Sequence, residues 1–151
     1  MTHQTPSAPR NPDYESAVRD SAARQTILTT LGATVERVAP GEVVIAAPPD
    51  DRFMQQDGYT HAGVITTILD SACGYAALTL MPPGSRVLSV EFKVNLLAPA
   101  IGERFVATAR VARSGRTLTV VSAEAVAVRG DERVPIALMQ ATMFRLDAGP
   151  G

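Results

Sequence analysis

The stretch QQDGYTHAGVITTILD, residues 55–70, decides the fold. It opens with polar residues, continues through the small residues Ala62 and Gly63, and ends in an almost wholly apolar segment that carries Asp70. This pattern predicts a loop that leads into a buried helix, with one acid about two and a half turns beyond His61. Burying a charge costs several kcal/mol unless it is compensated, so the acid should be neutral, well paired or kept for chemistry.

The segments around this stretch predict one helix crossed by strands. The apolar helix should span residues 61–80, because Met81-Pro82-Pro83-Gly84 breaks it. An earlier helix should run from Pro12 to about Leu31 and stop at Gly32. Pro40-Gly41 favours a hairpin, and short turns between the last four strand-like runs favour an antiparallel meander. The strand-like runs are 33–39, 42–47, 86–98, 103–113, 117–129 and 133–145.

These elements predict one α+β domain over residues 12–147, preceded by a disordered tail at 1–11. The 151 residues are 46% hydrophobic and 19% charged, which is typical of a globular chain. The net charge of −1 and the absence of Trp argue against nucleic acid as a partner. No apolar run is long enough to cross a membrane and the first residues lack a secretory pattern, so we expect a cytoplasmic protein.

Asp70 is the first candidate for chemistry. Its neighbours one turn away are small (Thr66, Thr67, Cys73 and Gly74), and they leave space beside the carboxylate for a substrate or a water molecule. The same spacing also fits an acid that bonds a neighbouring threonine and only supports the fold, and the residues alone leave both interpretations open.

The start of the helix is the second candidate. Its first N–H groups have no partner inside the helix and lie at the positive end of the helix dipole, so Ala62 and Gly63 can offer them to a ligand oxygen. His61 is a possible base, although a structural hydrogen bond is favoured at a turn. Gln55 in the preceding loop is a candidate only through its nearness to the helix start.

Other kinds of site have little support in the sequence. Cys73 is the only cysteine and has no histidine in helical register to activate it, so core packing is favoured. Two histidines provide no zinc-like cluster, and we expect neither a metal nor a cofactor. The chain has no Gly-x-Ser-x-Gly nucleophile turn.

Residues 55–70 together with the run VLSVEFKVNLLAP at 87–99 resemble the hotdog-fold acyl-CoA thioesterases, and among them the PaaI-like (phenylacetyl-CoA thioesterase) branch. The resemblance rests on the interval between His61 and Asp70, on Pro99-Ala100-Ile101-Gly102-Glu103, and on Ser114-Gly115-Arg116, and it covers roughly residues 31–146. It implies a hotdog fold, in which an antiparallel sheet of about six strands wraps around one long central helix, here with an extra N-terminal helix.

The resemblance also implies the roles of individual residues. Asp70 would be the general base or nucleophile, and Ser89 would hold Asp70 or the attacking water. The Ala62 N–H would polarise the thioester carbonyl, with Gln55 beside it. One departure is that Ala62 replaces the first glycine of the family's pair, which keeps the N–H but adds a methyl group.

The implied assembly and substrate follow from the same family. Asp70 would face Ala62 and Gln55 of a second copy, so the chain would form a homodimer and then a homotetramer. The implied reaction is hydrolysis of an aryl or medium-chain acyl-CoA, in which CoA is part of the substrate. Arg113 and Arg116 are candidates for contacts with CoA, although a solvated turn fits them equally well. Two alternatives remain open: an acyl-CoA-binding protein without turnover, and a hotdog dehydratase or hydratase.

Overall fold

A computed structural model describes residues 8–148 of the chain. The helices are α1 (Tyr14–Arg24), α2 (Thr26–Thr30) and α3 (Ala62–Leu78), with a short 3₁₀ turn at Asp51–Phe53. The strands are β1 (Thr34–Ala39), β2 (Glu42–Ala47), β3 (Arg86–Leu96), β4 (Arg104–Ser114), β5 (Leu118–Arg129) and β6 (Glu132–Leu146). Most of the predicted N-terminal tail, at 1–7, lies outside the described residues.

The six strands form one antiparallel sheet in the order β1-β2-β4-β5-β6-β3, and α3 lies across it. The helix packs against the five strands from β2 to β6, and its buried side chains form one hydrophobic core with theirs. Ile68 and Leu69 of α3 are fully buried, as are Ile45 of β2 and Phe105 of β4. Burial of each such side chain contributes about 1.5–3 kcal/mol to folding. This arrangement is the hotdog fold that the resemblance implied.

The predicted meander is wrong in one place. Strands β4, β5 and β6 follow one another through short turns, but β3 pairs with β6 and not with β4. The connection at 97–103 therefore crosses from one edge of the sheet to its middle. A Cβ at Gly102 would lie 2.7 Å from the Val128 carbonyl oxygen, so only glycine fits where this connection meets β5. Its Pro and Gly residues are equally compatible with a hairpin, which explains the error.

The predicted first helix is also wrong, because it is two helices. Gln25 has an extended ψ of 97°, and it ends α1 and begins α2. Its N–H donates to the Ala22 carbonyl, and its own carbonyl accepts the N–H of Leu28, both at 3.0 Å. The break turns the chain before Gly32, whose φ of +62° ends the helical segment as predicted.

No helix among the described residues is both long and apolar enough to cross a membrane.

Candidate active site

The first turn of α3 leaves one backbone donor free. His61 is the N-cap of the helix, and its Nδ1 accepts the Gly63 N–H at 2.9 Å. The Val64 N–H donates to the His61 carbonyl at 2.9 Å. The hydrogen bonds of residues 8–148 include none from the Ala62 N–H. Ala62 therefore presents an unpaired donor at the positive end of the helix dipole, where it can stabilise a polarised or anionic oxygen.

The cap explains why residue 63 is glycine. A Cβ at this position would lie 2.9 Å from the Nδ1 atom of His61, so a larger residue would push the imidazole away. The pair predicted as backbone donors, Ala62 and Gly63, is thus divided: Gly63 binds the cap and Ala62 keeps its N–H available. His61 therefore has a structural role as the cap of α3, which is the role that the sequence favoured for a histidine at a turn.

The loop before α3 places Gln55 beside the free donor. A bridge between Met54 and Thr60 closes the loop, and the Gln55 N–H donates to the Tyr59 carbonyl at 2.8 Å. The side-chain carbonyl of Gln55 accepts the Asp57 N–H, which leaves the amide NH₂ as a further donor. Gln55 and Ala62 line a cavity of about 380 Å³. Its other walls are largely apolar and include Ile65, Leu96, Leu97, Pro99 and Ile136.

Asp70 lies in a different cavity, of about 520 Å³. The carboxylate is half-buried, and its Oδ1 accepts the Ser89 hydroxyl at 2.6 Å. Ser89 lies opposite the buried Met143 in the register of β3 and β6, so it faces the helix side of the sheet. A hydrogen bond of this length orients the carboxylate. The contact between Ser89 and Asp70 that the resemblance implied is therefore present in the structure.

The two cavities separate the predicted site residues into two groups. Asp70 lies eight residues after Ala62 on the same helix, a rise of about 12 Å at 1.5 Å per residue. One group contains Asp70 and Ser89, and the other contains Gln55 and Ala62. A single thioester carbonyl cannot contact both groups of one chain, so each cavity holds half of the predicted chemistry.

Cys73 is not available as a nucleophile. It is fully buried, and burial together with the charge of Asp70 raises the pKa of its thiol to about 12. The reactive thiolate is therefore almost absent near neutral pH. This agrees with core packing, the role that the sequence favoured.

Arg113 and Arg116 flank the turn between β4 and β5, and both are exposed. Neither takes part in an ion pair within residues 8–148. The register of the sheet places this turn beside the end of β6, where Arg86 begins β3. The two guanidinium groups thus lie at the end of the sheet that also carries Ser89.

Sequence reasoning missed the wall opposite Asp70. Ser21 of α1 and Gln25, which caps the end of α1, line the same cavity as the carboxylate. The only sequence signal for this wall is the polar face of the first predicted helix. A polar face does not show which part of the protein it covers. In the described part of the chain, no group of three or more His, Cys, Asp or Glu residues is placed to bind a metal ion.

Residues 57–134 match the sequence profile of the Thioesterase superfamily. A thioesterase family protein from Silicibacter pomeroyi has a similar structure, with a TM-score of 0.87 and 51% identity over 89% of this chain and 98% of that one. Acyl-coenzyme A thioesterase 13 of Homo sapiens is 29% identical over 60% of this chain and 65% of its own length. The chain thus spans slightly less than two thirds of that curated relative.

A more distant structure shares the fold. The PaaI protein of the E. coli phenylacetic acid degradation operon has a TM-score of 0.82 and covers 92% of this chain and 97% of its own. Its sequence identity is 17%, so the likeness concerns the backbone arrangement alone.

Proposed function

The chain belongs to the thioesterase superfamily, and we propose that this thioester hydrolase cleaves acyl-CoA at sites that two copies of the chain build together. The observation that carries the proposal is the Ser89–Asp70 hydrogen bond of 2.6 Å beside a cavity, on the same helix that offers the free Ala62 N–H. Asp70, held by Ser89, provides a positioned base, and the Ala62 N–H provides a donor for the developing oxyanion.

The edge of the sheet supports the pairing of two copies. β3 forms one edge and exposes large apolar side chains, namely Leu88, Val90, Phe92 and Leu96. A long apolar edge strand is a template for pairing with another chain, and most such pairs are two-fold symmetric. Two β3 edges related in this way would run antiparallel and extend the sheet across both copies.

The antiparallel pairing would also unite the two groups of site residues. Ser89 lies near the start of β3, whereas the residues at and after its end, 96–100, line the cavity of Gln55 and Ala62. In a symmetric pair, the start of one β3 lies beside the end of the other. Asp70 of one copy would then face Gln55 and Ala62 of the second copy, giving two equivalent sites per dimer. Two dimers would form the homotetramer.

In this site the carbonyl oxygen of the thioester would accept hydrogen bonds from the Ala62 N–H and the Gln55 amide. Asp70 would take a proton from water as the water oxygen attacks the carbonyl carbon. The tetrahedral oxyanion would stay on the same two donors until the C–S bond breaks. The CoA thiolate would leave with a proton returned by Asp70, and the acyl group would become the free acid. Direct attack by the Asp70 carboxylate, followed by hydrolysis of the anhydride, uses the same residues.

The two cavities differ in what they can hold. The cavity of about 520 Å³ beside Asp70 lies in the size range of small-molecule sites and fits an aryl or medium-chain acyl group. The narrower apolar cavity beside Ala62 fits the pantetheine arm. Arg113 and Arg116 lie at the sheet end near the start of β3, where they could bind the phosphates of CoA.

The structure favours neither alternative function. A hydratase would need His61 at the reacting carbon, but its Nδ1 already caps α3. A binding protein without turnover would need no positioned acid, yet Ser89 orients Asp70.

The proposal is tested by free-thiol release from a panel of aryl and aliphatic acyl-CoAs between pH 7 and 8. We expect release with at least one substrate and multiple turnovers. Saturable binding of these compounds without thiol release would contradict the hydrolase and identify an acyl-CoA-binding protein. Hydration of an enoyl-CoA would identify a hydratase.

A further inference from the structure

The cavity of Asp70 continues well past the carboxylate, and its far wall is α1. This helix contributes no residue to the chemistry proposed above, yet Ser21 and Gln25 line the cavity together with Asp70, Gly74 and Tyr75. Gly74 follows Asp70 by one turn, and a Cβ there would lie 3.7 Å from a methyl carbon of Val87, so this wall is bare of side chain next to β3. An acyl group bound at Asp70 would therefore contact α1.

Two polar contacts hold α1 against α3 at this wall. The Ser71 hydroxyl donates to the Gln25 Oε1 at 2.9 Å, and the Ser21 and Tyr75 hydroxyls lie 3.4 Å apart. Ser71 and Tyr75 are only 8% and 4% exposed. Polar groups buried to this extent are costly unless they are satisfied, so these contacts are fixed features of the cavity.

Gln25 is held more firmly than an ordinary helix residue. Its backbone N–H and carbonyl are both bonded at the junction of α1 and α2, and its side-chain oxygen is bonded to Ser71. The amide nitrogen remains, and the hydrogen bonds within residues 8–148 include none from it. A positioned donor with no protein partner therefore borders the acyl end of the cavity.

The wall differs from the cavity of Ala62 in its chemistry. Hydroxyl, amide and charged groups line the cavity of Gln25, whereas aliphatic side chains dominate near Ala62. A plain alkyl group bound against the wall would desolvate a donor without pairing it. A site built to bond a substrate oxygen discriminates against the analogue that lacks that oxygen.

We propose that Gln25 is a specificity-determining residue whose side-chain amide donates to an oxygen on the acyl group, so that the chain prefers hydroxy- or oxo-substituted acyl-CoAs over unsubstituted ones of the same length. This inference rests on the proposed thioesterase function. Arg24, Arg86 and Asp20 are exposed residues that line the same cavity, so charges of both signs lie farther from the thioester.

The test compares kcat/KM for hexanoyl-CoA with the values for its 3-hydroxy, 5-oxo and 6-hydroxy derivatives and for adipoyl-CoA. The wild-type chain should prefer at least one substituted substrate by roughly 10-fold, the value of one well-placed hydrogen bond. Gln25→Leu should remove that preference without lowering kcat/KM for hexanoyl-CoA, because the alkyl group no longer desolvates an unpaired donor. Gln140→Leu, the same change on the outer face of the sheet, should preserve the preference.

A second variant separates recognition from support of α1. Ser71→Ala removes the contact that holds the Gln25 oxygen but keeps the amide donor, so it should weaken the preference less than Gln25→Leu does. If Gln25→Leu unfolds, Gln25→Glu keeps the oxygen for Ser71 and removes the donor, and the loss of preference for the 5-oxo substrate is then the readout. Equal ratios of substituted to unsubstituted kcat/KM in wild type and variant would overturn the Gln25 assignment alone. Absence of thiol release from every substrate would instead overturn the proposed function.

Discussion

The first turn and the middle of α3 carry opposite kinds of chemistry. At the first turn, Ala62 and Gln55 offer hydrogen-bond donors beside an apolar cavity, and at the middle of the helix, Asp70 and Ser89 offer an oriented acid beside a polar one. In the proposed mechanism, neither region completes a hydrolysis alone. The difference shows that α3 places donors and an acid about 12 Å apart on one helix, which is the reason for proposing a site shared with a second copy.

Loss of the acid should have the largest effect. Asp70→Ala should lower kcat by roughly 10² to 10⁴, because the group that takes the proton from water is gone. Asp70→Asn tests the same point with the shape preserved. Steady-state thiol release measures both, and Asp131→Asn at an exposed turn is the control. Hydrolysis near the wild-type rate in either Asp70 variant would remove the acid from the mechanism.

Loss of the donor in the first turn of α3 should have the next largest effect. Ala62→Pro removes only the N–H, because proline is tolerated at the first position of a helix and His61 has the extended conformation (φ −59°, ψ 137°) that a residue before proline prefers. We expect kcat to fall by roughly 10² to 10³. Ala62→Gly keeps the N–H and should remain active, so equal activity of the two variants would exclude an oxyanion role.

Ser89→Ala should have a smaller effect than either. The variant keeps the base but releases Oδ1 of Asp70 from its hydrogen bond of 2.6 Å. A hydrogen bond to a charged group contributes about 1.5–3 kcal/mol, so kcat should fall by roughly 10- to 100-fold. Ser89→Thr keeps the hydroxyl and should recover most of the rate. No recovery with threonine, in a variant that unfolds like wild type, would show that Ser89 matters for packing instead.

Substitution of Cys73 should have the smallest effect on rate, since Cys73 belongs to neither of the two regions. Cys73→Ala should keep kcat within about two-fold. The raised pKa predicts a further difference, because the folded chain holds the thiol proton more tightly than the unfolded chain does. The contribution of the thiol to stability is full below pH 9 and is lost as the pH rises towards 12. Thermal unfolding should therefore show wild type losing stability relative to Cys73→Ala over that range, and a constant difference would contradict the assignment.

The sequence predicted the central helix better than it predicted the surroundings of that helix. His61, Asp70 and the small residues between them have a spacing that requires one helix, and that helix is present. Ser89 was implied only through the resemblance to a family, since nothing in its own strand pattern connects it with Asp70. Arg113 and Arg116 remain predicted contacts of CoA.

The errors have a common physical origin. The position of β3 at the sheet edge and the break at Gln25 both depend on contacts between segments far apart in the chain. A Pro- and Gly-containing connection permits either a hairpin or a crossing, and a polar residue within a helical pattern does not show the residue that it will bond. Local patterns therefore define the elements, whereas long-range packing selects their arrangement.

Mixing two inactive variants tests the central claim most directly. Asp70→Asn and Ala62→Pro damage different groups, so a dimer with one chain of each would contain one doubly damaged site and one intact site. Unfolding and refolding them together in equal amounts should restore about one quarter of wild-type activity, because half of the dimers are mixed and each has one of two sites intact. Activity that stays at the level of the separate variants, in a sample shown to contain mixed dimers, would contradict a site shared between two copies.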